Sequence, residues 1–361
     1  MPDRAEPGPK KVIVAMSGGV DSSVAALLLK QQGYQVTGIT MQIWPSSEQR
    51  TGACCGWEAV NDARKVAWEL DIPHYVFNFR DEFKEKVIDY FCDGYRQGRT
   101  PNPCIACNRY LKFESLLNKA LAMKADYIAT GHYARVIRDE ASGKYGLFTG
   151  LDKSKDQSYA LYTLTQFQLE HILFPLGTYI KQDVRRLAEA AHLPVSRKPE
   201  SQDLCFVSAG GYGEFVEYYT GLEPKTGHFR STNGESIGTH RGIHHYTIGQ
   251  RRGLGLALGR PAYVTGIDPE TDTIWIGENR DLFSSELMAN NMHYISGIIS
   301  EEPFQASAKI RYSAARVPAL VTPSDGDKIK VEFEKPVRAI TPGQAVVLYN
   351  GNQVLGGGTI S

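Results

Sequence analysis

At 361 residues the chain is long enough for two or three domains, each with its own core. Lys plus Arg and Asp plus Glu stand at 40 each, so net charge gives no pointer to a nucleic acid. Only local basic pairs could meet one: Arg96 with Arg99, Arg185 with Arg186, Arg251 with Arg252, and Arg311 with Arg316. No apolar run approaches the ~20 residues that span a bilayer, which excludes a membrane-spanning helix. Residues 1–9 are polar and proline-rich, with neither a signal core nor an arginine-rich amphipathic pattern. They are expected to form a loose tail, with the cytoplasm as the compartment. Six cysteines in such a chain are expected to be reduced or buried thiols, not a disulfide framework.

The first element is a continuous apolar run, Val12 to Met16, which predicts an inner strand of a parallel sheet. Ser17-Gly18-Gly19-Val20-Asp21-Ser22 follows, and Val24 to Leu29 reads as a helix stopped by Gly33. The glycines allow a tight turn and close approach of a ligand. The helix start aims N–H groups and its dipole at one spot, which suits pyrophosphate. Asp21 is the candidate ligand for the Mg2+ that travels with it. The run lacks the G-x-x-x-x-G-K-[ST] of a Walker A loop. S-G-G-V-D-S resembles instead the signature of the ATP pyrophosphatases, or PP-loop enzymes. Their chemistry splits ATP between the α- and β-phosphates and adenylates a carbonyl oxygen.

Gln35 to Met41 is a second strand, ending where an adenine ring could lie in an open α/β sheet. Residues 45–56 read as a loop carrying Cys54-Cys55, and Trp57 to Leu70 has helical spacing. Pro73 to Phe79 is a third strand, followed by a helix from Asp81. This rhythm predicts an α/β fold with a doubly wound parallel sheet. Thr100-Pro101-Asn102-Pro103-Cys104-Ile105-Ala106-Cys107-Asn108 reads as a stiff loop. Asn108 is the expected cap of the next helix, which would set Cys107 just before a helix N-terminus and favour its thiolate. Ala125 to Ala129 is another strand, with Gly131 and His132 at its ligand-facing end. A polar loop, 150–159, is expected to open a helix with Asp156 or Ser158 as cap. A helix over 182–191 precedes Ser201-Gln202-Asp203-Leu204-Cys205-Phe206.

Beyond residue 207 glycine becomes frequent and helical periodicity fades. Asp268 to Asp272 reads as a turn between strands 263–267 and 273–276. Strands are expected over 307–312, 328–333 and 345–349, with Asn350-Gly351 as a hairpin signal. The resulting division is a tail (1–9), a nucleotide-binding catalytic domain (10–206), a central domain (207–280) and a C-terminal β-barrel (281–361).

Taken together, S-G-G-V-D-S, T-P-N-P-C-I-A-C-N, A-T-G-H-Y-A-R, K-D-Q-S-Y, S-Q-D-L-C-F, Y-T-I-G-Q-R-R-G-L and I-R-Y occur in one order along residues 10–361. The chain thereby resembles the tRNA-specific 2-thiouridylases, which replace O2 of the wobble uridine in the anticodon loop by sulfur. The resemblance implies a PP-loop domain of the adenine-nucleotide α-hydrolase type, a central domain and a β-barrel. It implies that Ala15, Met16, Ser17, Gly18, Gly19, Val20, Asp21, Ser22, Met41 and Gly131 hold ATP. Asn102, Pro103 and Cys104 would lie beside the target base. His132, Lys155, Asp156, Gln157, Arg311, Tyr312 and Gln344 would be further tRNA contacts, with Lys155 in place of Lys153.

Cys205 would carry a persulfide and Cys107 would resolve it as a disulfide, a cysteine desulfurase or relay protein being the sulfur source. Cys104 departs from the acidic residue common there and creates Cys104-x-x-Cys107. With Cys205 it offers the alternative of an iron–sulfur cluster with one open iron. Cys54, Cys55 and Cys92 are expected to serve packing. Two other readings fit the loop alone: a nitrogen-transferring PP-loop ligase, and a non-catalytic nucleotide- or RNA-binding module.

Overall fold

The computed structural model describes residues 8–44, 57–200, 204–207 and 211–361. Most of the expected tail, the 45–56 loop with Cys54 and Cys55, and Ser201, Gln202 and Asp203 lie outside the described residues.

The chain opens with β1 (Lys11–Ala15), α1 (Val20–Gln31), β2 (Gln35–Gln42), α2 (Trp57–Glu69) and β3 (His74–Asn78). A helical run over 80–96 follows, and a second over 103–122, whose middle, Cys107–Leu116, is π-helical. Then come β4 (Tyr127–Ala129), β5 (Ala134–Arg138), β6 (Tyr145–Thr149), β7 (Ile172–Leu173) and a helix, Lys181–Ala190. The first sheet has the order β3-β2-β1-β4-β7, and every pair in it is parallel. β1 sits in the middle because both its faces are apolar: Val12, Ile13 and Val14 are at most 2% exposed. Ile13 faces the core formed with the 80–96 and 103–122 helices, while Val12 and Val14 face α1 and Lys181–Ala190. The expected doubly wound sheet is therefore present. Its strand order reverses between β1 and β4, and that crevice is where such sheets bind ligands.

Next come a helix, Tyr212–Thr220, and a four-stranded central sheet: β8 (Gly227–Ser231), β9 (Ser236–His240), β10 (Tyr263–Asp268) and β11 (Thr273–Gly277). It has its own core around Phe229, Val264 and Ile274. Asp268 shapes the expected β10–β11 turn by accepting from Glu270 N and Thr271 Oγ1. The C-terminal strands are β12 (Phe283–Tyr294), β13 (Phe304–Lys309), β14 (Val317–Pro323), β15 (Ile329–Arg338), β16 (Ala345–Asn350) and β17 (Gln353–Ile360). They pair as β12-β15-β14-β13-β16-β17, and β17 returns to β12 to close a six-stranded barrel. Closure removes the exposed edges an open sheet would leave.

The β5–β6 hairpin is absent from the sequence reading. It belongs by chain position to the first domain, yet β6 extends the barrel sheet through Leu147–Val354 and Phe148–Gln353. Around it Tyr159 Oη donates to Ala345 O at 2.9 Å, and Thr100 N donates to Pro342 O at 2.8 Å. These bonds hold the barrel against the first domain. Among the described residues no helix is long and apolar enough to cross a membrane.

Burial holds His74, His132 and His293 below the ordinary imidazole pKa. Unfolded, these rings take up protons near pH 6.5; folded, they do so only at lower pH. Stability from this source is complete above about pH 6.5 and is lost as pH falls through the folded-state values. The melting temperature is expected to drop on acidification from about pH 7 to about pH 5.5, and a flat or rising profile would contradict this.

Candidate active site

The loop between β1 and α1 is built from its own side chains. Ser17 N donates to Ser22 Oγ at 3.1 Å, and the Ser22 and Ser23 hydroxyls donate to Gly19 O at 3.2 and 2.8 Å. Gly18 has φ +69°, and a Cβ there would collide with the Ala59 carbonyl of α2. Gly19 caps α1 with no side-chain acceptor, so the first N–H groups of the helix are not satisfied by a capping side chain and can face an anion. Across the crevice, a Cβ at Gly131 would lie 2.7 Å from Ser22 N, so only glycine lets the end of β4 approach the loop this closely.

Cations surround this turn. Lys181 Nζ lies 2.6 and 2.8 Å from Asp21 Oδ1 and Oδ2, and 3.4 Å from Glu200 Oε1. Lys198 Nζ donates to Gly18 O at 3.0 Å and to Asp62 Oδ2 at 2.7 Å. Lys155 Nζ donates to Glu200 Oε2 at 2.6 Å, which holds the Glu200 carboxyl below its ordinary pKa. The Tyr133 hydroxyl donates to Asp21 Oδ1 at 2.8 Å; burial, then the charge of Asp21, keep it protonated. Lys155, Lys181 and Lys198 line one cavity of about 330 Å³ together with Ser17, Gly19, Val20 and Tyr312. Sequence reasoning reached Lys155 but missed Lys181, Lys198 and Glu200, since a single lysine at a helix start carries no motif. Mg2+ at Asp21 does not fit this arrangement: both carboxylate oxygens face the Lys181 ammonium, which a dication would have to displace.

A second cavity, of about 280 Å³, shares Ser17, Asp21 and Gln157 with the first. Its walls include Ala15, Met16, Ser22, Met41 and Gly131, and also Cys107, Lys112 and His132. Seven of the ten expected nucleotide residues and one of the two expected catalytic cysteines therefore meet in one space, while Gly19 and Val20 line the neighbouring cavity. His132 is buried there, with Nδ1 2.6 Å from Thr130 Oγ1; burial, then Lys112, keep it neutral.

Cys107 gets there differently from the sequence expectation. Asn102, not Asn108, is the cap: its Oδ1 accepts from Cys104 N at 3.1 Å and Ile105 N at 3.3 Å, with Pro103 in the first turn. Cys104 is thus exposed in the first turn of the helix, and Cys107 lies a turn further in. Asn108 is buried instead, donating to Ala160 O at 3.0 Å and accepting from Lys112 Nζ at 2.9 Å. The wider π-helical turn that starts at Cys107 brings Cys107 and Lys112 to the same cavity. Lys112 is thus the cation on the thiol's cavity wall. Asn102→Ala is expected to lower stability by about 1 kcal/mol, read as a shift in denaturant midpoint. An unchanged midpoint would show that the cap contributes nothing.

Cys205 is half-buried and does not line this cavity. Its neighbour Phe206 is clamped by Phe91 and Phe215 at ring distances of 5.0 and 5.1 Å. Cys104 is exposed at the start of its helix, whereas Cys107 and Cys205, both half-buried, pack against the same core. Cys92 is buried as expected, its thiol pushed up to about 12 by burial.

The remaining expected contacts divide. Tyr312 is 47% exposed at the mouth of the lysine-lined cavity. Asp156 is 7% exposed and accepts from Gly150 N, Ser158 N and Ser158 Oγ, so it shapes its own turn. Gln157 Oε1 accepts from Tyr133 N at 3.0 Å. Arg311 donates to Arg338 O and Ala339 O, and Gln344 donates to Thr100 O at 2.9 Å. Pro103 is buried in the first turn of its helix.

Three family models match the chain: a tRNA methyl transferase HUP domain over residues 10–209, a tRNA methyl transferase PRC-barrel domain over 213–278 and an aminomethyltransferase beta-barrel domain over 284–360. The tRNA-specific 2-thiouridylase MnmA of Carboxydothermus hydrogenoformans is 55% identical over 357 residues, which is 98% of either chain. That of Acetivibrio thermocellus is 53% identical over 355 residues, 97% of this chain and 99% of the relative. Among solved structures, a 4-thiouridine synthetase–RNA complex with bound ATP aligns over 55% of this chain and 45% of that one, at 17% identity and a TM-score of 0.38. At that identity and coverage to the two curated relatives, the chain belongs to the tRNA-specific 2-thiouridylase family.

Proposed function

We propose that this chain is a tRNA-uridine 2-sulfurtransferase, which uses ATP to replace O2 of a wobble uridine by sulfur. The observation that carries the reading is the single cavity walled by both the β1–α1 loop and Cys107. A nitrogen-transferring ligase would need the loop but not the thiol.

The uridine oxygen is a poor leaving group. In the proposed sequence it attacks the α-phosphorus of ATP and pyrophosphate departs. Lys181 and Lys198, with the uncapped start of α1, offset the negative charge that builds on the leaving pyrophosphate. The base is then activated as its O2-adenylate. The terminal sulfur of a Cys205 persulfide attacks C2, and AMP leaves with the original oxygen. The Cys107 thiolate next attacks Cys205 Sγ, which cleaves the S–S bond and leaves sulfur on the base. The two electrons that reduce the transferred sulfur come from the pair of thiols, which end as a Cys107–Cys205 disulfide. A thiol reductant resets the enzyme, and a cysteine desulfurase or relay protein reloads Cys205. Delivery requires the Cys205 persulfide to meet C2 of the base beside the Cys107 wall of the cavity. Presenting C2 in the cavity requires the uridine to be turned out of the anticodon loop. Tyr312 and Lys155 at the cavity mouth are suited to receive the RNA backbone and base.

The test is mass spectrometry of tRNA nucleosides after incubation with ATP, Mg2+ and a persulfide source. The expected result is 2-thiouridine with an equal amount of AMP. Ammonia-dependent turnover without tRNA would instead identify a ligase, and no AMP release would leave only a binding module.

A further inference from the structure

Away from the catalytic crevice, three metal-binding side chains meet at the start of the central domain. Glu217 comes from the helix Tyr212–Thr220, and His244 and His245 from the single turn Ile243–His245. Their donor atoms all lie within 4.8 Å of one another. Glu217 Oε1 lies 2.9 Å from His244 Nε2 and 2.6 Å from His245 Nε2. Both imidazoles are buried, while the carboxylate keeps partial access to solvent. The place is shaped for the rings. A Cβ at Gly213, one turn before Glu217, would overlap the His245 imidazole, so that ring stands directly on the helix backbone. The two rings are 4.5 Å apart, tilted by 41°. Both Nε2 atoms lie against the one oxygen, Oε1, so three atoms of coordinating type stand side by side.

We propose that Glu217, His244 and His245 form a binding site for a borderline divalent cation of the Zn2+ class, with a fourth position open to water. Two imidazole nitrogens and one carboxylate oxygen suit zinc, cobalt or nickel better than Mg2+ or Ca2+, which favour all-oxygen sites. Ligands of a tetrahedral ion at about 2.0–2.1 Å stand roughly 3.3 Å apart, so each imidazole needs to move from the carboxylate oxygen by less than about 1 Å. As a ligand each ring would give the ion its Nε2 lone pair and hold its proton on Nδ1. The neighbouring cation Arg241 is turned to Glu214, with Nη1 3.7 Å from Oε1. The bound ion ties the helix Tyr212–Thr220 to the 243–245 turn. On the same helix, Phe215 packs on Phe206 and Tyr212 on Tyr95, so the clamp stiffens the floor under the Cys205 segment. The site stands apart from the thiolation chemistry and is tested apart from it.

Titration of the chelator-treated full chain with Zn2+ by calorimetry, and with Co2+ by visible absorption, decides the matter. Wild type is expected to bind one equivalent, with cobalt ligand-field bands and no sulfur-to-cobalt charge-transfer band. Glu217→Gln keeps an acceptor oxygen for the rings and is expected to fold, yet to bind at least about tenfold more weakly. His244→Gln is expected to do the same, and Zn2+ should raise the melting temperature of wild type more than that of either variant. Absence of binding by wild type overturns the proposal. So does affinity unchanged in both variants, or a cobalt spectrum dominated by thiolate charge transfer, which would place the ion on cysteine.

Discussion

Serine in place of Cys107 is expected to abolish formation of 2-thiouridine while ATP binding survives, and serine in place of Cys205 is expected to do the same. A hydroxyl can neither carry sulfane sulfur nor close a disulfide, so each change removes a bond-forming atom. Neither residue belongs to the β1–α1 loop proposed to meet ATP: Cys107 lines the same cavity, and Cys205 is not among its lining residues. Nucleoside mass spectrometry reads the product, and nucleotide titration reads binding. Full product from either variant removes that cysteine from the mechanism. Loss of ATP binding as well would mean that the change had disturbed the cavity itself.

The second large effect is expected at Lys181. Its side chain is 10% exposed and its ammonium reaches both oxygens of Asp21. A charge-assisted hydrogen bond contributes about 1.5–3 kcal/mol, or roughly a tenfold to hundredfold effect on a rate or binding constant. Lys181→Met is therefore expected to lower kcat/KM for ATP by at least about tenfold. The double variant Lys181→Met/Asp21→Asn separates two roles. If Lys181 only neutralises Asp21, removing both charges restores activity. If Lys181 also meets the pyrophosphate, the double variant stays impaired, and that is the expected outcome. Steady-state kinetics on the four-member cycle gives the answer.

The sequence was most legible where local rules act alone. The apolar run 12–16 can only be buried on both faces, and Gly18-Gly19 before a helical run can only be a tight turn, so β1, its loop and α1 were readable directly. The helix carrying Cys107 was misplaced by two turns' worth of ambiguity in T-P-N-P-C-I-A-C-N, which offers two asparagines. The deciding signal was present: proline directly after Asn102 fits the first helical position, which Asn108 lacks. The lysines at 181 and 198 were not legible, because the fold alone brings them to Asp21 and Gly18 across more than 150 residues of chain. Neither was the β5–β6 hairpin, whose pairing partner β17 lies some 200 residues later. Resemblance supplied Arg311 and Gln344 as contacts, and only the structure shows that both also donate to backbone carbonyls, Arg311 within the barrel region and Gln344 across to Thr100 of the first domain.

The central claim is that ATP activates the oxygen that sulfur replaces. Substrate tRNA carrying oxygen-18 at O2 of the target uridine tests it in a single turnover. The expected result is AMP that carries the heavy oxygen, one atom for each 2-thiouridine formed. Unlabelled AMP beside thiolated tRNA, with the label in water, would contradict it.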